Sequence, residues 1–139
     1  MKLADISFAL TILSVTAQPP PERGELLFHG GVRLTAKLAG SEDDLSPAAT
    51  RCSNCHGSDA RGIAEGDAKG SNIRGPALTS RQSRRGGPPS SYNLESFRLA
   101  LRAGHDPAHV VLVRAMPRYT ISAADSAAIW TYLLSLGSQ

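Results

Sequence analysis

The feature that most constrains this chain is a Cys-x-x-Cys-His run formed by Cys52, Ser53, Asn54, Cys55 and His56. Two thiols spaced three residues apart in one helical turn can reach the two vinyl groups of a single porphyrin and form thioether bonds. The adjacent imidazole then reaches the iron, and no other cofactor needs these three groups in this order. The run therefore predicts one covalently attached haem.

The cysteines have two alternative uses, a redox or structural disulfide and a zinc site. A disulfide between Cys52 and Cys55 would close a very small loop, which contributes little stability and is more typical of a redox dithiol. A thioredoxin-like dithiol expects a preceding strand, and no strand pattern precedes Cys52. A closed zinc site needs four ligands in a recognisable spacing, and the histidines here match no zinc pattern. The histidines available are His29, His56, His105 and His109.

Composition predicts one globular domain with a thin protein core. The 139 residues are 41% hydrophobic but only 5% aromatic, and they include 13 Gly and 9 Pro, so a buried porphyrin would supply missing apolar mass. The formal net charge is +3. The basic cluster of Arg81, Arg84 and Arg85 is interpreted as a solvated loop, because no interleaved aromatic residues accompany it. No nucleic-acid partner is expected.

The N-terminus has the pattern of a secretory signal peptide. Lys2 precedes an apolar run, Ile6 to Val15, and small residues follow up to Ala17, which predicts cleavage after Ala17. The signal peptide is then residues 1–17, the mature domain is residues 18–139, and the expected location is the bacterial periplasm. An ordinary N-terminal helix is the alternative. No later segment is apolar for long enough to form a transmembrane helix.

The first half of the chain predicts short helices and one long loop. A short helical piece is expected from Gly24 to Phe28. Ser46 followed by Pro47 has the form of an N-cap with proline at the first helical position, which predicts a helix from Pro47 into the cysteines. The Gly-rich and Ser-rich sequence from Gly57 to Pro89 predicts a long loop around something functional.

The second half contains two clearer helices. Apolar residues at helical spacing follow a cap at Asn93 and end before Gly104, which predicts an amphipathic helix. Ser122 and Asp125 form a Ser-x-x-Asp capping pattern ahead of the last helix, in which Trp130 is expected to pack in the core. No strand pattern competes, so the predicted fold class is all-α. The apolar positions are Leu94, Phe97 and Leu101 in the first helix and Ile129, Tyr132, Leu133 and Leu136 in the second.

Met116 is the candidate second iron ligand. Only two methionines exist, and Met1 is expected to be lost with the signal peptide. Pro117 restricts Met116 to extended conformations, which suits a residue that projects a thioether inward from a rigid loop. The alternative is a methionine that fills a gap in the core.

From about Gly24 to its end, the chain resembles the class I monohaem cytochromes c. The resemblance rests on the Cys52, Cys55 and His56 run, on Met116 with Pro117, and on the terminal helix. It implies a helical domain wrapped around one covalent haem c, with iron held by His56 and Met116. Gly75, Pro76, Ala77 and Leu78 also resemble the Gly-Pro-x-Leu motif of the family.

By this resemblance, the carbonyl of Pro76 should accept a hydrogen bond from His56 and so orient the imidazole. Gly75 and Pro76 could equally be plain turn residues. The chain departs from the shortest members of the family between Phe28 and Leu45 (residues 29–45) and from Arg81 to Ser91 (residues 81–91). Both stretches are interpreted as surface insertions that could contact a partner.

The expected function is electron transfer without catalysis, because two filled axial positions leave no vacant site for a substrate. Expected partners are redox proteins, namely a dehydrogenase, an oxidase or another cytochrome. One alternative is a subunit held tightly in a dehydrogenase or oxidase complex. Another is a five-coordinate haem peroxidase or sensor, with His105 or His109 near the open face, although exposed loop positions are favoured for both histidines.

Overall fold

The computed structural model describes residues 21–63 and 70–137. Helices predominate there, which confirms the predicted all-α class apart from one small sheet. The predicted signal peptide, residues 1–17, lies outside the described residues. None of the helices in these two ranges is long and apolar enough to cross a membrane. The elements are α1 (Pro21–His29), β1 (Thr35–Lys37), α2 (Ser53–His56), α3 (Gly75–Thr79), α4 (Leu94–Ala103), β2 (Arg118–Thr120) and α5 (Ala123–Ser135).

Helix α1 packs directly against α5, the last of the described helices. A Cβ atom at Gly24 would overlap the backbone carbonyl of Ala128, so only glycine permits this close approach. The rings of Phe28 and Tyr132 meet with their centroids 5.5 Å apart. At the surface, Arg23 and Asp125 form an ion pair at 2.7 Å. The predicted helix at Gly24 to Phe28 is therefore present and slightly longer than expected.

Helix α4 begins and ends where its sequence predicts. The side chain of Asn93 accepts a hydrogen bond from the Ser96 amide at 2.9 Å, and the Ser96 hydroxyl accepts one from the Asn93 amide at 2.9 Å. This capping box satisfies free amides of the first turn. Gly104 ends the helix in the left-handed conformation, with φ of 70°, where glycine is favoured.

Helix α5 also matches its prediction. The Ser122 hydroxyl accepts a hydrogen bond from the Asp125 amide at 3.0 Å, as the capping pattern requires. The Asp125 carboxylate turns instead to Arg23 on α1. Trp130 packs against the core, with its ring centroid 5.3 Å from that of Phe97. The Ser122 cap thus begins α5, and the Asp125 carboxylate connects α5 to α1.

The predicted helix from Pro47 into the cysteines is wrong. Residues 47–50 form an isolated turn, and α2 begins only at Ser53. In a continuous helix the Thr50 carbonyl would accept from the Asn54 amide. Here the Thr50 carbonyl accepts from the Tyr119 hydroxyl at 3.0 Å, and the Asn54 amide bonds to Arg51. A side chain from β2 therefore interrupts the helix.

The expectation of no strands is also wrong, and residues 29–45 are not only a surface insertion. Strand β1 pairs antiparallel with β2, with Ala36 opposite Tyr119. Leu34 and Ala36 are buried in the core. The strands have three residues each, too few for an alternating pattern to be recognised from sequence. Their pairing is fixed by contacts between distant parts of the chain.

The stretch from Gly57 to Pro89 contains a helix that the loop prediction missed. Helix α3 begins after Arg74 and has Pro76 in its first turn, where proline is well tolerated. Leu78 on this helix is buried in the core. Because Gly and Ser residues lie on both sides of α3, the composition of this stretch does not indicate a helix.

Candidate functional site

One large cavity occupies the centre of the domain. Its volume is about 930 Å³, near the upper end of the roughly 300–1,000 Å³ typical of ligand and cofactor sites. Helices α1, α3, α4 and α5 contribute large apolar side chains to its wall, namely Phe28, Leu78, Phe97, Leu101, Ile129 and Leu133. Such a wall suits a large, flat, apolar ligand.

Helix α2 brings both cysteines and the histidine to this cavity. The amides of Cys55 and His56 both bond back to the Cys52 carbonyl, at 3.3 and 3.0 Å, and these bonds close a single tight turn. Cys52, Cys55 and His56 all line the cavity. The structure therefore places the three groups on one helical turn, as their spacing predicts.

The two sulfur atoms are free thiols, so the disulfide alternative is not formed. Burial raises the pKa of the Cys52 thiol to about 11, partly opposed by a hydrogen bond with Tyr119. In residues 21–63 and 70–137, no group of three or more His, Cys, Asp or Glu side chains is placed to hold a metal ion.

His56 is buried and oriented by a backbone carbonyl. Its Nδ1 donates to the carbonyl oxygen of Ser71 at 2.7 Å. Because a carbonyl oxygen only accepts, Nδ1 carries the proton and Nε2 keeps its lone pair. Burial lowers the pKa of His56, partly opposed by the Ser71 carbonyl. The imidazole is therefore neutral, the form that binds a metal.

The predicted role of Pro76 is wrong. Its carbonyl accepts from the Ser80 amide at 3.1 Å within α3, and Pro76 does not line the cavity. The first turn of a helix directs its carbonyls along the helix axis, which makes this carbonyl unavailable to His56. Sequence reasoning missed Ser71 because any residue type supplies a backbone carbonyl.

Met116 reaches the same cavity from a different part of the chain. It lies between a turn and β2, is half-buried, and lines the cavity. Its amide bonds to the Val113 carbonyl at 3.1 Å, and its own carbonyl accepts from the Arg118 guanidinium. Both backbone polar groups of Met116 are thus held, and the following Pro117 is buried.

Residues 81–91 form part of the cavity wall and are not only a surface insertion. The Arg84 guanidinium donates to the carbonyls of Ala77, Leu78 and Ser80 at 2.8 to 3.2 Å. It also lies over the Tyr92 ring, 5.1 Å from the centroid. Arg84 therefore binds this loop to α3. This contact contradicts the interpretation of Arg84 as part of a solvated loop. Arg81 is exposed, as predicted.

The other histidines lie away from the cavity wall. His109 is exposed and His105 is half-buried, and neither lines the cavity. His105 forms an isolated backbone bridge with Val111. The loop position expected for both is therefore present, although His105 is more buried than predicted.

The cavity and its donor atoms fit a covalently attached haem. Two free thiols lie together on one helical turn, a neutral imidazole with a free Nε2 is next to them, and a thioether sulfur lines the same cavity. Thioether attachment needs the thiols, and axial ligation needs the imidazole and sulfur. Each chemical group that haem c requires is present on one apolar cavity.

A family model described as Cytochrome c matches residues 46–137. No curated protein and no solved structure matches the chain. The matched residues include α2, α3, α4, β2 and α5, and therefore all the donor groups described above.

Proposed function

Because the chain belongs to the cytochrome c family, with covalent haem c as its cofactor, we propose that it carries single electrons between redox proteins. Haem iron supplies reversible one-electron chemistry when it is bound. The observation that carries the proposal is that Cys52, Cys55, His56 and Met116 all line one apolar cavity. Each of these residues has a distinct proposed role in binding the haem.

Cys52 and Cys55 are proposed as the points of covalent attachment. Their thiols are on one helical turn and face the cavity, so one flat ligand is in reach of both. Covalent attachment keeps the cofactor in place independently of its oxidation state and its axial ligands. Helix α2 is in turn held to the fold by Tyr119, which bonds to the Thr50 carbonyl.

His56 is proposed as the first axial ligand. The Ser71 carbonyl holds the Nδ1 proton, which directs the Nε2 lone pair away from the backbone and increases the basicity of the ring. Burial keeps the ring neutral by lowering its pKa. His56 therefore already has the neutral form that would bind iron.

Met116 is proposed as the second axial ligand. A soft sulfur donor favours the reduced state of the iron compared with a second imidazole. The hydrogen bonds to Val113 and from Arg118 hold the backbone on both sides of this side chain. With both axial positions filled, the protein exchanges electrons without binding small molecules, which supports a carrier over a peroxidase or sensor.

We also propose export to the periplasm through residues 1–17, with residues 18–139 as the mature domain. Redox partners follow from the family, and we propose a dehydrogenase, an oxidase or another cytochrome. Gel filtration of the native protein from cell extract distinguishes a free carrier from a complex subunit. A free carrier elutes at its own size, whereas a subunit elutes with its complex.

Haem attachment is tested by making the protein with a haem-attachment system and recording its pyridine haemochrome spectrum. Covalent haem c stays with the protein in acid acetone. Cys52→Ala and Cys55→Ala each leave one vinyl group unreacted, so the haemochrome band moves to longer wavelength. Colourless protein, or protein that loses its pigment to acid acetone, would contradict the proposal.

A further inference from the structure

Tyr119 joins the segment that carries Met116 to the segment that carries the cysteines. Its hydroxyl donates to the Thr50 carbonyl at 3.0 Å, across 69 residues of sequence. Both ends of this hydrogen bond are buried, since Tyr119 is 5% exposed and Thr50 is 2% exposed. Among the described residues, every hydrogen bond between residues 104–120 and residues 46–57 involves Tyr119.

The Tyr119 hydroxyl is the donor on which the Thr50 carbonyl depends. Burial raises the pKa of Tyr119, so the hydroxyl keeps the proton that this bond needs. The Thr50 carbonyl accepts no other hydrogen bond among the described residues. Strand pairing holds the Tyr119 backbone opposite Ala36 on β1. Removal of the hydroxyl alone would therefore leave a buried carbonyl without a donor, which is costly.

Met116 lies three residues before Tyr119, and little backbone freedom separates the two. The Arg118 guanidinium donates to the Met116 carbonyl, and the intervening Pro117 is buried. The proline ring also fixes its own φ angle. A movement of Met116 out of the cavity is therefore carried along the chain to Tyr119.

The other end of the hydrogen bond is next to the haem-binding run. Thr50 lies two residues before Cys52, whose carbonyl closes the single turn of α2. Thr50 is also held within its own turn, because its hydroxyl donates to the Pro47 carbonyl at 3.0 Å. The Thr50 carbonyl therefore keeps a fixed position relative to the cysteines.

We propose that Tyr119 is a positioning residue for iron ligation, because its bond to the Thr50 carbonyl holds the Met116 thioether beside the haem-binding run. When Met116 leaves the iron, the strand that carries Tyr119 moves with it and this bond breaks. The bond therefore opposes replacement of the sulfur by another neutral donor, an exchange in which no electron or proton moves. The inference rests on the proposed function, because it takes His56 and Met116 as the axial ligands.

The test titrates the oxidised, haem-loaded protein with imidazole, which competes with Met116 for the iron. Tyr119→Phe keeps the aromatic ring in the cavity wall and removes only the hydroxyl. We expect Tyr119→Phe to bind imidazole roughly tenfold more tightly than wild type, the ratio that one buried hydrogen bond of ordinary net strength produces. An imidazole affinity equal to that of wild type would overturn the inference.

A second pair of variants separates an effect on Met116 from a general change in the cavity. Met116→Ala has no sulfur for Tyr119 to hold. We therefore expect Met116→Ala and the double variant Met116→Ala/Tyr119→Phe to bind imidazole with affinities equal to within about twofold. If the hydroxyl has the same effect without Met116 as with it, Tyr119 does not act through the sulfur and the inference is wrong.

Tyr132→Phe is the matched control, because it makes the same change at another buried tyrosine. Tyr132 is 7% exposed, its hydroxyl forms a hydrogen bond with His29 at 3.3 Å, and it does not line the cavity. We expect this variant to keep the wild-type imidazole affinity. Equal increases in Tyr132→Phe and Tyr119→Phe would mean that lost stability alone admits imidazole, which contradicts a positioning role.

A further measurement needs no variant. Amide hydrogen exchange of the oxidised wild-type protein is compared with and without imidazole. We expect exchange to accelerate both in β2 and in residues 47–57, because the two segments lose their connection together. Acceleration confined to residues 110–117, or in neither segment, overturns the inference while ligation by Met116 stands. Equal imidazole affinities in wild type and Met116→Ala would instead overturn that ligation, and the inference with it.

Discussion

The Nδ1 atom of His56 donates to the carbonyl oxygen of Ser71 at 2.7 Å, and this bond orients the imidazole in the cavity. Ser71 follows Gly70, which packs against α2 itself. A Cβ atom at residue 70 would overlap the carbonyl of Cys55 and approach the amide of His56. The position of the Ser71 carbonyl therefore depends on the absence of a side chain at its neighbour.

Gly70→Ala is expected to separate this segment from α2 and weaken the bond to His56. Overpacking of this kind costs about 1–3 kcal/mol of unfolding free energy. Thermal unfolding of the haem-loaded protein measures the loss. Ser71→Ala is the control, because it keeps the backbone carbonyl and should unfold as wild type does. A Gly70→Ala protein with wild-type stability would show that the close approach is unimportant.

Met116→Ala is expected to remove the sulfur ligand. The reduced spectrum should lose the band typical of methionine ligation, and the iron should bind cyanide or carbon monoxide readily. We expect the midpoint potential to fall by on the order of 0.1 V, a small part of the roughly 0.8 V over which axial ligands set haem potentials.

The control for this change is Val111→Ala, on the same segment. Val111 is 63% exposed and does not line the cavity, so its removal should leave spectrum and potential unchanged. An unchanged spectrum and potential in Met116→Ala would refute the ligand assignment and favour another axial group.

Arg84→Ala is expected to loosen the loop of residues 81–91. The substitution removes charged hydrogen bonds to five backbone carbonyls and the contact with Tyr92. A hydrogen bond to a charged group contributes about 1.5–3 kcal/mol. We therefore expect Arg84→Ala to lower the free energy of unfolding by about 1–3 kcal/mol. Denaturant unfolding measures it. Arg81→Ala, at an exposed position, should change stability by less than about 0.5 kcal/mol, and equal effects from both variants would contradict this role.

Acid is expected to destabilise the protein before haem attachment, through His56. Burial lowers the pKa of His56 in the folded state, so the unfolded chain binds this proton more tightly. The folded state therefore loses stability as pH falls below the unfolded value of about 6.5, by at most about 1.4 kcal/mol per pH unit. The loss stops below the lowered folded pKa. Unfolding curves between pH 7 and pH 5 measure the slope.

His109→Gln provides the comparison for the acid effect, since His109 is exposed and away from the cavity. This variant should keep the wild-type slope, whereas His56→Gln should reduce it. Identical slopes in all three proteins would place the acid sensitivity in other residues.

Features that depend on neighbours in sequence could be predicted, and features that depend on distant contacts could not. The caps at Asn93 and Ser122 are local, and the helices they begin are where the sequence predicts. The turn at residues 47–50 has an equally good local signal, but a hydroxyl from Tyr119 takes the carbonyl that the helix needed. Local propensity was overridden by one tertiary hydrogen bond.

The site shows the same division. The Cys-x-x-Cys-His run can be recognised in the sequence because it consists of side chains at a fixed spacing. Ser71 acts through a backbone carbonyl, which no residue type reveals.

The contact between α1 and α5 also determines when the interior can close. Helices α1 and α5 lie at opposite ends of the described residues, and contacts between segments so far apart in sequence form more slowly than local ones. The part of the cavity wall that Ile129 and Leu133 supply depends on this contact. We therefore expect a chain in which α1 and α5 have not yet met to leave the cysteines of the haem-binding run open to solvent on that side.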